Sequence, residues 1–173
     1  MKKLFVVLTV FFSCFISGQT KGNPLVILDS KNIGYMDQAE NTLKHINQND
    51  MLLFFYKGNA EEIEQKFGSK SGVLIYVTKK YILDTFYKNN IEHSSLKTII
   101  PTIESLSKIG IIGSRAEFKD LPYAELVRYI KTTPNTDDAL KISSIAFVEP
   151  SVAIQLNPDW KFGAIEIMST MDR

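Results

Sequence analysis

After residue 18 no apolar run in the chain exceeds six residues, and the runs are separated by stretches with helical spacing. That spacing constrains the fold more than composition does. Leu25–Leu28 is a short apolar run ending in an acid, Asp29. Met51–Tyr56 is a second run, and 72–78, rich in β-branched residues, is a third. Short apolar runs bounded by turn residues predict buried strands. Between them, 37–46 predicts a modest helix. Asn59 predicts the N-cap of another, and Glu62 three residues on completes a capping-box pattern. Ala60, Ile63 and Phe67 share one face of that helix, and Gly68 ends it. Strands interleaved with short helices predict an α/β (α+β) fold of small mixed sheets packed by helices.

The same order returns later in the chain. Residues 109–112 correspond to 25–28, 142–148 to 51–57, and 163–169 to 72–78. From Asp50 to Thr78 the two segments align without a gap at an offset of 91 (163 − 72), which places Ile63 on Ile154 and Gly72 on Gly163. Asp120 is placed to cap a helix in which Tyr123, Leu126, Val127 and Ile130 share a face. The segment between, 81–107, reads as a helical linker broken at Pro101. The expectation is two related βαβαβ units, 19–80 and 108–173. Each is near the size at which a lone core is marginal, so the two should pack on each other.

Residues 1–18 are different in kind. Lys2 and Lys3 precede an apolar run, Leu4–Ile16, and the small residues Ser17 and Gly18 follow. This is the layout of a secretory signal peptide, and the run is shorter than the roughly 20 residues of a spanning helix. Cleavage after Gly18 leaves Gln19 first. The formal charge then falls from +1 to −1, because two lysines leave. A near-neutral mature chain gives no reason to expect nucleic acid or an acidic membrane surface as partner. The only cysteine, Cys14, lies inside the apolar run. The mature chain therefore has neither a disulfide nor a thiolate metal site. The expectation is an exported protein of the periplasm or outer membrane, without a membrane span of its own after cleavage.

Three strings give a resemblance. They are Asn-Pro-Leu-Val-Ile-Leu-Asp at 23–29, Ile-Asn-Gln-Asn-Asp-Met at 46–51 running on to Tyr-Lys-Gly at 56–58, and Lys-Phe-Gly-Ser-Lys-Ser-Gly-Val-Leu-Ile-Tyr-Val-Thr-Lys-Lys at 66–80. In this order they resemble the plug domain of TonB-dependent outer-membrane receptors, in the form common among Bacteroidetes. The resemblance covers about a third of the chain, and 108–170 repeats it faintly, as a tandem of two plug-like units would. Ser30 stands where the family usually has Gly, and Gln48 where it has Pro. Nothing near Gln19 resembles the TonB-contacting segment. The remaining length is far too short for a 22-stranded barrel, so transport by this chain alone is not expected. The resemblance implies a gate-like contact surface and carries no catalytic residues.

Residues with chemical potential are sparse. His45 and His93 lack metal-ligand spacing. Glu61, Glu62 and Glu64 suit the positive end of a helix. Asp120, Asp137 and Asp138 lack a calcium-loop spacing. The segment 68–72 precedes a strand and lacks a P-loop ending, so it reads as a turn with glycines at positive φ. Tyr76 and Phe55 read as core. Trp160, beside Pro158 and Phe162, is the best candidate for an aromatic contact patch, against the stronger reading of core packing. Tyr56 joins Trp160 and Phe162 as a candidate binding residue. No cofactor and no metal are expected. The leading expectation is a non-catalytic binding or accessory module of TonB-dependent uptake, docking on an outer-membrane receptor, a lipoprotein or a small ligand. The alternatives are a small periplasmic enzyme using carboxylates in a cleft between the halves, and a purely structural envelope module.

Overall fold

The structure is a computed structural model and describes residues 22–112, 121–134 and 139–170. Residues 1–18, where the sequence predicts a signal peptide, and Asp120, Asp137 and Asp138 lie outside the described residues.

The first unit opens with a hairpin. β1 (Leu25–Leu28) pairs antiparallel with β2 (Lys31–Tyr35), Leu28 opposite Lys31. Asp29 (φ 49°) and Ser30 (φ 62°) form the turn, and both are left-handed. Two central residues at positive φ define a type I′ turn, whose twist matches that of the flanking strands. Sequence reasoning missed β2. The chain continues through α1 (Met36–Lys44), a 3-10 turn at Gln48–Asp50, β3 (Met51–Phe55), α2 (Ala60–Phe67) and β4 (Val73–Thr78). The sheet order is β2-β1-β4-β3, with β1 parallel and β3 antiparallel to β4. α2 starts as expected, the Glu62 N–H donating to Asn59 Oδ1 at 2.8 Å, and ends at Gly68 with φ 69°. The reciprocal half of the capping box is not made. The Glu62 carboxylate accepts instead from Lys66 Nζ at 2.8 Å and from the Tyr56 hydroxyl at 3.1 Å.

α3 (Lys79–Asn90) follows β4 directly, two residues before the expected start of the linker, and α4 (Ile103–Ser107) lies beyond Pro101. The second unit comprises β5 (Gly110–Ile112), α5 (Pro122–Glu125) running into a 3-10 turn at Leu126–Tyr129, β6 (Ile142–Val148), α6 (Pro150–Leu156) and β7 (Ala164–Ser169). Its sheet order is β5-β7-β6, with β5 parallel and β6 antiparallel to β7. This is the arrangement of β1, β4 and β3. The local geometry matches too. Gly72 (φ 87°) and Gly163 (φ 89°) precede β4 and β7. The Gly72 carbonyl accepts from Leu25 N–H at 3.1 Å, and the Gly163 carbonyl from Gly110 N–H at 2.9 Å.

The fold class is therefore mixed α and β with two small mixed sheets, as the sequence predicts, but the correspondence is not gap-free. The register of β6 on β7 shifts between Ile142 and Ser144, a bulge that inserts one residue. α6 then begins one residue early. Ala153, fully buried, takes the inward place of Ile63, while Ile154 is 44% exposed. β5 matches β1 from Gly110, opposite Ala164 as Leu25 is opposite Val73, and not from Ile109.

Period-2 alternation separates the faces of each sheet. In the first sheet Leu25, Ile27, Leu52, Phe54, Val73, Ile75 and Val77 share one face and enter the main core. The opposite face, with Val26 and Tyr76, is covered by Ala39 and Leu43 of α1. The second sheet is turned over. Ile111, Ile145, Phe147, Ile165 and Ile167 face the main core, and these lie on the side that corresponds to the α1-covered side of the first sheet. Between the sheets α3 packs on α4, α5 and the 3-10 turn that follows α5, Phe86 meeting Tyr129 edge-on at 6.4 Å. Side chains of both sheets share the main core, so the halves do pack on each other.

Candidate functional site

Three sequence candidates occupy two different places. Tyr56 follows β3 in the first unit, and its hydroxyl is fixed between Glu62 and Lys66, accepting from Lys66 Nζ at 3.1 Å while its ring meets Phe67 at 4.7 Å. The hydrogen bond to Lys66 holds the Glu62 carboxyl below the usual range, and its partner Glu62 holds Lys66 above its own. Tyr56 is thus a locked half-buried residue. On the same strand Leu53 and Phe55 lie on the α1 side of the sheet and remain 41% and 47% exposed, because α1 covers β1 and β4 rather than β3. Phe55 is accordingly not core, whereas Tyr76 is.

Trp160 and Phe162 lie in the turn between α6 and β7. Trp160 is half-buried over the backbone of Gly110, so close that a Cβ there would come within 2.2 Å of its Cδ2. Phe162 is 60% exposed. Elsewhere in this unit α6 exposes Val152, Ile154 and Leu156, and β7 exposes Met168. Sequence reasoning missed these exposures because hydrophobicity alone does not say which flank of a short helix stays open to solvent.

A cleft of about 830 Å3 lies between the first unit and α4, with Asp29, His45, Asp50, Lys79, Asp84 and Glu104 among its walls. Its carboxylates are already engaged. Asp29 Oδ1 accepts from Thr78 N–H at 2.8 Å and Oδ2 from Thr78 Oγ1 at 2.9 Å, which ties the hairpin turn to the start of α3. Asp50 accepts from Asn47 at 3.1 Å, Asp84 pairs with Lys80, and Glu104 pairs with Lys108 at 2.6 Å. The bond to Lys108 lowers the Glu104 pKa. Lys79 Nζ stands 5.1 Å from the centre of the Tyr123 ring. Burial, with the Asp50 charge second, raises the Tyr123 phenol pKa. His93 stands apart, beside Glu92 at 3.9 Å. Among the described residues no group of three or more His, Cys, Asp or Glu side chains comes together to hold a metal ion, and no helix is long and apolar enough to cross a membrane.

No family model, no curated protein and no solved structure matches the chain.

Proposed function

We propose that this chain is an exported, plug-like binding or accessory module of an outer-membrane TonB-dependent uptake system, without transport or catalysis of its own. The observation that supports the reading most is the build of the first unit. The strings that resemble the plug fall on successive elements: β1 ending in the Asp29-Ser30 turn, the 3-10 turn at Gln48–Asp50 leading into β3, and Gly68 to β4. The left-handed φ of Ser30 also accounts for the Gly that the family usually has there. The repeated strand arrangement supports a second reading of history, duplication of one unit into two.

The unit that carries the resemblance is where the reading puts the partner contact. Leu53 and Phe55, beside Tyr56, give β3 an apolar surface on the side that α1 leaves open. The test is a cross-linking pull-down from outer-membrane extract with residues 19–173, read by mass spectrometry. Recovery of one barrel protein or lipoprotein, lost in Leu53→Asp, is the expected result. Recovery of nothing specific, together with turnover by the purified protein, would end the proposal.

A further inference from the structure

A strand at the edge of a sheet leaves a row of backbone N–H and C=O groups unpaired, and native sheets blunt, cover or pair such edges. Among the described strands, three of the four edges are blunted. β2 carries Lys31 and Gly34, and its register on β1 shifts between Leu25 and Ile27. β5 is only three residues long, with Trp160 over Gly110 at one end. β6 carries the bulge between Ile142 and Ser144. β3 has none of these devices. Met51–Phe55 is apolar throughout and pairs with β4 residue for residue, without a shift. One bond fixes which of its groups face outward. Tyr56 N–H donates to the Val73 carbonyl at 3.1 Å, so Tyr56 and Val73 are a hydrogen-bonded pair, as are Phe54 with Ile75 and Leu52 with Val77. The residues between them, Met51, Leu53 and Phe55, turn their N–H and C=O away from β4. Met51 N–H donates back to the Gln48 carbonyl. The N–H and C=O of Leu53 meet no partner among the described residues.

We propose that β3 is where two copies of this chain pair, edge to edge and antiparallel, about a two-fold axis at Leu53. Outward N–H and C=O groups at strand spacing are matched by another extended backbone, which defines the occupant as a strand. Three observations favour the β3 of a second copy. Leu53 is an outward residue, so on the axis it exchanges N–H to C=O with its own copy in both directions, in the phase that β4 already imposes. In that register Leu52 stands opposite Phe54 and Met51 opposite Phe55, so every side chain meets an apolar one at about 5 Å and no charge meets its like. The ends carry the third observation. β3 lies between Asp50 and Lys57, both exposed and neither in an ion pair among the described residues. Antiparallel pairing sets the acidic end of each strand beside the basic end of the other, whereas parallel pairing would set like beside like. α1 packs over β1 and β4 and does not stand in the way of the added strand. The proposal goes beyond the uptake reading. It uses the edge of β3 rather than its side-chain face, and purified protein alone tests it.

Sedimentation equilibrium of residues 19–173, which include every described residue, measures the mass between about 1 and 100 μM, where weaker interfaces associate. The expected result is a mass that doubles by the upper concentration. Leu53 is 41% exposed, so Leu53→Asp and Leu53→Lys should each keep the original circular dichroism. Either variant alone sets two like charges opposite each other at the axis and should weaken the dimer at least about tenfold. An equimolar mixture of the two sets Asp against Lys and should restore the doubled mass. Hydrogen exchange of the unaltered chain gives a second readout. The Leu53 amide, open in a monomer, should exchange at least about tenfold more slowly at the upper concentration than at the lower. A monomer throughout, including one that captures a foreign strand, overturns the proposal. So does a dimer that either variant leaves intact, a mixture that stays monomeric, or a dimer in which the Leu53 amide exchanges as fast as in the monomer.

Discussion

Gly110→Ala tests how the second unit is closed. A Cβ at that position would lie 2.2 Å from Trp160 Cδ2, 2.4 Å from Cγ and 2.5 Å from Cε2. Favourable carbon contacts lie near 3.5–4.0 Å, so three ring atoms are overlapped by about 1 Å or more. The obstacle is an indole, not the far end of a flexible chain. Either the ring leaves β5 or the strand leaves β7, and overpacking of this kind costs about 1–3 kcal/mol. With three ring atoms involved, the upper part of that range applies, a fall in Tm of roughly 5–10 °C for a chain of this size. The reasoning gives a sharper test in combination. With Trp160→Ala already present the clash is gone, and Gly110→Ala should be neutral or stabilise by up to about 1 kcal/mol through lower backbone entropy in the unfolded chain. The coupling between the two sites is then about 2–4 kcal/mol. Urea unfolding followed by far-UV circular dichroism is the assay, since Trp160→Ala removes the only tryptophan. A Gly110→Ala protein within about 0.5 kcal/mol of the original, or an equal loss in the Trp160→Ala background, would refute the argument.

Three further outcomes are expected. Ser30 holds a φ of 62° in the β1–β2 turn, so Ser30→Gly should raise stability by about 0.5–1 kcal/mol in urea unfolding, and a loss would contradict the type I′ assignment. Tyr76, Tyr123 and Tyr129 all have phenols raised mainly by burial. A raised folded-state pKa gives a contribution that is full below the unfolded value, about 10, and is lost as pH rises through the folded one. Stability should therefore fall above pH ~10, with ultraviolet titration showing these phenols ionising later than free tyrosine. Glu125 is 3% exposed, with Oε1 2.6 Å from Arg128 Nη1 and Oε2 without a hydrogen-bond partner among the described residues. Glu125→Leu, which removes the carboxylate that Arg128 Nη1 donates to, should lower stability in thermal or urea unfolding by about 1–3 kcal/mol, and Glu125→Gln, which keeps an acceptor there, by less.

The strands were legible where the chain is apolar for a physical reason that survives folding. Leu25–Leu28 and 73–78 are buried along almost their whole length, and an unbroken apolar run records it; 142–148 sets Ile142, Ile145 and Phe147 toward the core. β2 was not legible, because Lys-Asn-Ile-Gly-Tyr at the sheet edge needs little burial and carries a glycine. The type I′ turn was hidden by Ser30, which occupies a glycine's conformation. Periodicity also cannot say which side of a sheet is covered. Phe55 and Tyr76 read alike in the sequence, yet α1 lies over Tyr76 and leaves Phe55 half exposed. The same gap concealed the turned-over second sheet, although one sign was present. Where the first unit has Leu25, Val73 and Phe54, the second has Gly110, Ala164 and Ala146, and small residues in those places mark a side that builds no thick core. The Asp29–Thr78 clasp joins residues 49 apart, beyond the reach of any local pattern. Trp160 and Phe162 were singled out as aromatic residues in a loop; that one lies over Gly110 and the other stands open depends on where β5 passes.

The account rests on two sheets of one arrangement sharing a single core. Native-state hydrogen exchange on the intact chain tests this directly, by comparing the amides of Val26 and Val77 in the first sheet with those of Ala164 and Ile165 on the central strand of the second, all 0% exposed. One cooperative core predicts that both sets exchange only through global unfolding, with the same free energy and the same denaturant dependence. Exchange of Ala164 and Ile165 through a separate opening, several kcal/mol below that of Val26 and Val77, would contradict it.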